Sequence, residues 1–319
     1  MSKRVLTGLA TAVLATAMAG TASGSASAAT TSPFLSASQK VAQARAQAYQ
    51  KKAASGPAQL AAPRSVAAGQ ASPIFNLIGI DFQNSVYSYW PDGKGNFNDR
   101  YLEFNGAQND VYKHLKTVAD VDNNKDRFWD GTYFLWDDGS LVFAGKDKPS
   151  VRIGGGWDIY DTVLSPGDLG GEGQADIIAR DRNGYLWEYF AYADGTLTDR
   201  HKIGGGWGIY DQITGVGDLT GDGKPDIVAR DKSGVLWLYK GNGNTTDPFD
   251  SRVRIGGGWD KYDTLVSTGD MDGDGLADLL ARDRSGNLYF YKGNGGQTDP
   301  FNDAARVGGG WNTYRMLAD

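Results

Sequence analysis

From Ile74 onward the chain is divided into short apolar runs separated by glycine, aspartate and asparagine. The runs at 185–189 (YLWEY), 235–239 (VLWLY) and 288–291 (LYFY) are apolar or aromatic at nearly consecutive positions. Four or five such residues between turn signals read as a strand, and a strand apolar on both faces is covered on both. Each run follows a glycine turn, at Gly184, Gly234 and Gly286. An ARD triplet precedes each turn, at 179–181, 229–231 and 281–283.

The pattern is a repeat. IGGGW occurs at 153–157, 203–207 and 255–259, and VGGGW follows at 307–311, giving a period of about 50 residues. Some ten residues after each of the first three tryptophans stands a Gly-Asp pair, at 167–168, 217–218 and 269–270. Two worn copies precede these: 120–126 with 139–143, carrying an insertion near 127–130, and 77–81, 86–90 with 101–106. Each unit predicts four short strands, for instance about 264–268, 278–282, 288–292 and 305–307. The predicted fold is an all-β propeller of five four-stranded blades over residues 74–319. The first unit has no first strand of its own, and the closing stretch 314–319 (YRMLAD) is that strand without a unit. The C-terminal strand is therefore expected to complete the first blade and leave no open edge.

The preceding residues are of another kind. Lys3 and Arg4, an apolar run to Ala19 and the small residues ASA at 26–28 read as a signal peptide over 1–28. Residues 29–73 are rich in Ala, Gln and Ser and predict a disordered or marginally helical tail or propeptide. An exported chain without cysteine has neither disulfides nor thiol chemistry. The net charge is −6, and without residues 1–28 it is −8, from 30 basic and 38 acidic residues. Such an acidic surface argues against nucleic acid as a partner, and no later run is long enough for membrane insertion. The expected location is extracellular.

The stretch at 269–293, GDMDGDGLADLLARDRSGNLYFYKG, resembles the FG-GAP or VCBS repeat of integrin-type propellers and secreted actinobacterial proteins. The IGGGWxxY stretch with its following aliphatic strand resembles the tachylectin type of five-bladed propeller. The first resemblance implies calcium loops; the second implies binding of N-acetylated sugars. The fold also hosts adhesion modules, accessory domains of hydrolases and protease-modulating proteins.

The sharpest chemical motif is the loop 270–278. Asp270, Asp272, Asp274 and Asp278 place carboxylates at positions 1, 3, 5 and 9, and Leu276 offers a carbonyl, the ligand pattern of a Ca2+ loop. Asp218, Thr220, Asp222 and Asp226 repeat it with three carboxylates. The loop from Asp168 to Asp176 has glycine at position 3, and an ordinary turn suits it equally well. Trp157, Trp207, Trp259 and Trp311, with Tyr210 and Tyr262, either wedge between blades or edge sugar pockets beside glycine amides. Arg180, Arg230 and Arg282 read as structural partners of carboxylates. His114 and His201 hold non-equivalent positions, and no triad, HExxH or phosphate loop is present. The expectation is a secreted, non-enzymatic, calcium-stabilised, lectin-like propeller for cell-wall or N-acetylated glycans. The alternatives are a module that modulates or scaffolds an extracellular protease or other secreted protein, and a hydrolase whose site the repeats conceal.

Overall fold

Each repeat folds into four antiparallel strands, and a computed structural model describes residues 39–40, 71–108 and 110–319. The chain divides into two units, Met1–Thr31 and Ser32–Asp319, and every described residue belongs to the second. The signal peptide and nearly all of the tail lie outside the described residues. No helix among the described residues is long and apolar enough to cross a membrane.

The five sheets are the blades of a propeller. Blade 1 holds β1 (Leu77–Asp81), β2 (Val86–Tyr89) and β3 (Tyr101–Phe104). Blade 2 holds β4 (Leu115–Val121), β5 (Gly131–Trp136), β6 (Leu141–Gly145) and β7 (Val151–Gly154). Blade 3 holds β8 (Tyr160–Gly167), β9 (Asp176–Asp181), β10 (Leu186–Tyr189) and β11 (His201–Gly204). Blade 4 holds β12 (Tyr210–Thr214), β13 (Ile227–Asp231), β14 (Leu236–Tyr239) and β15 (Val253–Gly256). Blade 5 holds β16 (Tyr262–Val266), β17 (Leu279–Asp283), β18 (Leu288–Tyr291) and β19 (Ala305–Gly308). The last strand, β20 (Tyr314–Ala318), pairs antiparallel with β1, Ile78 opposite Ala318 and Ile80 opposite Met316. The expected closure and blade number are both present.

The two-sided apolar runs have the expected consequence. The main apolar clusters of the described residues lie between neighbouring blades, as where Ala119, Tyr133 and Phe143 of blade 2 meet Val163, Ile177 and Ala179 of blade 3. The glycine-rich links turn at these seams: Gly156, Gly206, Gly258 and Gly310 adopt φ between 82° and 90°, where a side chain would be strained. That turn drops each following tryptophan into the seam.

Arg180, Arg230 and Arg282 lock the seams. Arg230 pairs with Asp211 and donates to the carbonyls of Trp259 and Tyr262 on the next blade, at 3.1 and 2.6 Å. Arg180 does the same with Asp161, Trp207 and Tyr210, and Arg282 with Asp263, Trp311 and Tyr314. The aspartate after each arginine caps its own turn, as Asp231 does by accepting from the amides of Ser233 and Val235.

The start of the ring reaches further upstream than the repeat indicates. Ser72 donates its amide to the Gly275 carbonyl, and its hydroxyl accepts from the Asp218 amide. The Pro73 carbonyl accepts from Asp270, Ile74 donates to Arg127, and Phe75 donates to Thr268. The segment from Ser72 to Phe75 thus ties blades 2, 4 and 5 together at the end where the acidic loops gather. A cavity of about 450 Å³ between the inner strands is lined by residues such as Val118, Val163, Ile213, Leu265 and Leu317.

Candidate functional site

The acidic loops join the first and second strands of their blades, and backbone amides shape them. In the loop of blade 4, Asp218 accepts from Thr220, Gly221 and Gly223, while Asp226 accepts from Leu219, Thr220 and Gly241. In blade 5, Asp270 accepts from Gly273, Asp274 and Gly275, and Asp278 from Met271 and Gly293. These donors answer part of the repulsion expected between converging carboxylates, because an ionised acceptor is stabilised by N–H groups aimed at it.

Side-chain cations answer another part in blade 5. Lys292 bridges Asp272 and Asp274, the latter at 2.6 Å. Arg127, from the insertion in blade 2, pairs with Asp270, and both side chains are almost fully buried. Burial nevertheless dominates: it pushes Asp270 up to about 6 and Asp278 well above the usual carboxylate range. Asp226 is likewise pushed up by burial, to about 7.

Two groups of carboxylates bring one oxygen each to within 4.8 Å of one another among the described residues. One is Asp270, Asp272 and Asp278, the strongest loop of the sequence. Its oxygens fit a hard cation in number and kind, with Asp274 beside them and Lys292 the ammonium that such an ion would displace. The other is Asp168, Glu172 and Asp176, in the loop that lacks a third-position ligand. The expected second set, Asp218, Asp222 and Asp226, is not among these groups, and Asp222 is exposed. Thr220 is buried, and its amide is bonded to both Asp218 and Asp226.

The aromatic candidates lie in the seams. Trp157, Trp207, Trp259 and Trp311 are 6–8 % exposed, and Tyr210 and Tyr262 are 2 % exposed. Trp207 packs on Tyr239 with ring centroids 4.4 Å apart and on Tyr210 at 5.6 Å. Trp157 meets Tyr189 at 4.5 Å, Trp259 meets Tyr291 at 4.7 Å and Trp311 meets Tyr89 at 4.6 Å. The indoles are thus wedged between neighbouring blades. The turn at the third glycine carries each indole inward, leaving only its edge at the surface.

At the outer rim of three seams a further constellation recurs that sequence reading missed. Arg200 lies 4.1 Å above the half-buried ring of Trp187 and donates to the Tyr160 hydroxyl, itself bonded to that of Tyr189. Arg252 sits 4.1 Å above Trp237 beside Tyr210 and Tyr239, and Arg100 sits 4.8 Å above Tyr87 beside Tyr314 and Tyr89. All three arginines are exposed. The signal was available in the arginine just before the outermost strand of these blades; blade 5 has Ala304 there and blade 2 has Ser150.

The FG-GAP-like repeat family matches residues 218–281. No curated protein matches the chain. Solved structures similar in fold include human WBSCR16, at 13 % identity with a TM-score of 0.35 over 73 % of this chain and 65 % of that one. Yeast RCC1 (Prp20), in complex with Kap60, is 10 % identical, with a TM-score of 0.35 over 70 % and 57 %. A mutant of AofleA from Arthrobotrys oligospora is 11 % identical, with a TM-score of 0.42 over 76 % of both chains. The chain thus spans less than two thirds of the first two.

Proposed function

We propose that this propeller is an exported, non-enzymatic binding module that recognises glycans through its outer seams, and that calcium stabilises it. The observation that carries the reading is the threefold recurrence of an exposed guanidinium clamped on an aromatic ring and a tyrosine pair, at Arg100, Arg200 and Arg252. Arginine donors beside aromatic rings suit the hydroxyl and acetamido groups of sugars. Equivalent weak sites on one ring gain avidity for a repetitive polymer. Calcium in this reading is held by Asp270, Asp272, Asp274 and Asp278 with the Leu276 carbonyl, where it supplies the charge that Lys292 and Arg127 cover only in part.

Binding of the purified protein to immobilised N-acetylglucosamine polymer and to a glycan array tests the ligand class. Arg200→Ala and Arg252→Ala are expected to weaken retention stepwise, with the double variant lowest. A parent protein that binds no glycan removes the reading.

A protein partner is the second reading, favoured by exposed apolar side chains at the end of the ring opposite the acidic loops. Ile159 and Ile209 occupy equivalent places after the link tryptophans, 43 and 46 % exposed, and Phe82 tips a turn at 65 %. Capture of one secreted protein by the parent, abolished by Ile159→Asp with Ile209→Asp, supports this second reading.

A further inference from the structure

We propose that the central cavity of the ring binds a small amphipathic anion, a carboxylate or phosphate on a short apolar body, with its head held by Lys116 and Arg182. The cavity measures about 450 Å³. Small-molecule sites usually span roughly 300–1,000 Å³ and join apolar walls to a few placed polar groups. Here Val118, Val163, Ile213, Leu265 and Leu317 form the wall, and Thr117, Thr162 and Thr214 add hydroxyls.

The cavity is not symmetric about the ring. From blade 4, blade 5 and the closing strand it takes residues deep in the inner strands, from Ile213, Leu265 and Leu317 onward. From blades 2 and 3 it also takes Lys116, Leu135, Asp161 and Arg182, at the end of the ring opposite the acidic loops. It therefore reaches out toward one seam.

That seam departs from its sisters at two positions. Leu135 lies opposite Thr117 as Arg180 lies opposite Thr162 and Arg230 opposite Gln212, so leucine stands where the seam-locking arginines stand. Among the described residues no side chain donates to the carbonyls of Trp157 and Tyr160, whose counterparts accept from Arg180. Lys116 stands where the sister strands carry Asp161, Asp211 and Asp263, each paired with its arginine. Loss of the lock accounts for the leucine. It does not account for a cation in the aspartate's place.

Both cations at this mouth are unanswered. Neither Lys116 nor Arg182 has a side-chain partner among the described residues. Lys232, the counterpart of Arg182 in blade 4, instead folds back to the Gly208 carbonyl at 2.9 Å. Of the carboxylates along the wall, Asp161 accepts from Arg180 and Thr162, and Asp319 follows the far end of β20. Two like charges at an apolar opening suit an anionic head whose body enters the cavity, since charge-assisted bonds are the strong ones.

The site is separate from the rim arginines and is tested without glycan. Octanoate and octyl phosphate, below their micellar concentrations, are titrated into the full chain by calorimetry, with 1-octanol as the uncharged control. The expected result is one anion bound per chain, and octanol weaker by about tenfold, the scale of one bond to a charged group. Lys116→Asp installs the residue of the sister strands and Arg182→Ala trims an exposed side chain, so both should melt as the parent does. Each should weaken the anions by about tenfold and leave octanol unchanged. The stronger of the two probes tells carboxylate from phosphate. Lys116→Asp with Leu135→Arg rebuilds the lock of the other seams and should abolish anion binding. A parent that binds neither anion overturns the proposal, as does octanol binding as tightly as octanoate. Anion affinities unchanged in both single variants overturn it too.

Discussion

Arg315 Nη2 donates to the carbonyl oxygen of Tyr112 at 2.6 Å, across the seam between the first and second blades. Tyr112 stands where the later links carry tryptophan, so the acceptor is the carbonyl that Arg180, Arg230 and Arg282 use on their own neighbours. The arginine has moved from the second strand to the closing strand, where the other blades place Asp161, Asp211 and Asp263. Ile80 occupies the vacated position. The lock is kept although its residues have changed places.

Deleting Met316–Asp319 should therefore destabilise the entire ring. The deletion removes buried Leu317 and unpairs one edge of β1. Loss of that side chain alone costs about 2–5 kcal/mol. Thermal melting should show one transition at a lower temperature; a melt equal to the parent's disproves closure by β20.

Arg127→Met should cost about 3–5 kcal/mol, because it leaves Asp270 charged and unpaired in the interior. The double variant Arg127→Met with Asp270→Asn should recover part of that loss. Denaturant unfolding of the four proteins measures the coupling, and simple additivity would show that the two side chains act independently.

Trp207→Ala should cost about 3–5 kcal/mol, the usual range for a buried indole. Arg252→Ala, at the exposed rim, should cost far less. Near-equal urea midpoints for Trp207→Ala and the parent would return that indole to the candidate sugar contacts.

Acid should weaken the turns. Burial pushes Asp231 up, but bonds from Ser233 Oγ, Trp237 Nε1 and the amides of Val235 and Ser233 outweigh it and hold it at about 2. A carboxyl lowered in the folded state stabilises above its unfolded value of about 4, and that stability is lost as pH falls through the folded one. The melting-temperature gap between the parent and Asp231→Asn should therefore be constant above about pH 5 and narrow between about pH 4 and 2. A gap independent of pH would remove the ionised turn from the account.

The architecture was legible because it is repetitive. The IGGGW spacing, the paired-face strands and the ownerless stretch at 314–319 each constrain the same ring, and the four strands expected of blade 5 lie within two residues of those found. The contacts that occur only once were not legible. Nothing in the sequence near Arg127 announces Asp270, and nothing in the acidic pattern tells that Lys292 folds over it. The tryptophans were ambiguous because three glycines allow a link to turn either way, and only the left-handed third glycine decides. The loop at Asp168 looked deficient because the pattern counts positions, whereas Glu172 supplies length.

The pairing of β1 with β20 also fixes an order of events. Ile78 finds Ala318 across nearly the whole length of the propeller, so one of the first strands synthesised has its neighbour among the last. Long-range pairing of this kind is slow, since the entropy of bringing distant segments together is spent before the contacts return it. Until residues 314–318 have been made, blade 1 exposes a strand edge and its seams lack a partner. Ring closure is therefore the last step open to the chain, taken by strand β20 on a blade whose other strands were made long before it.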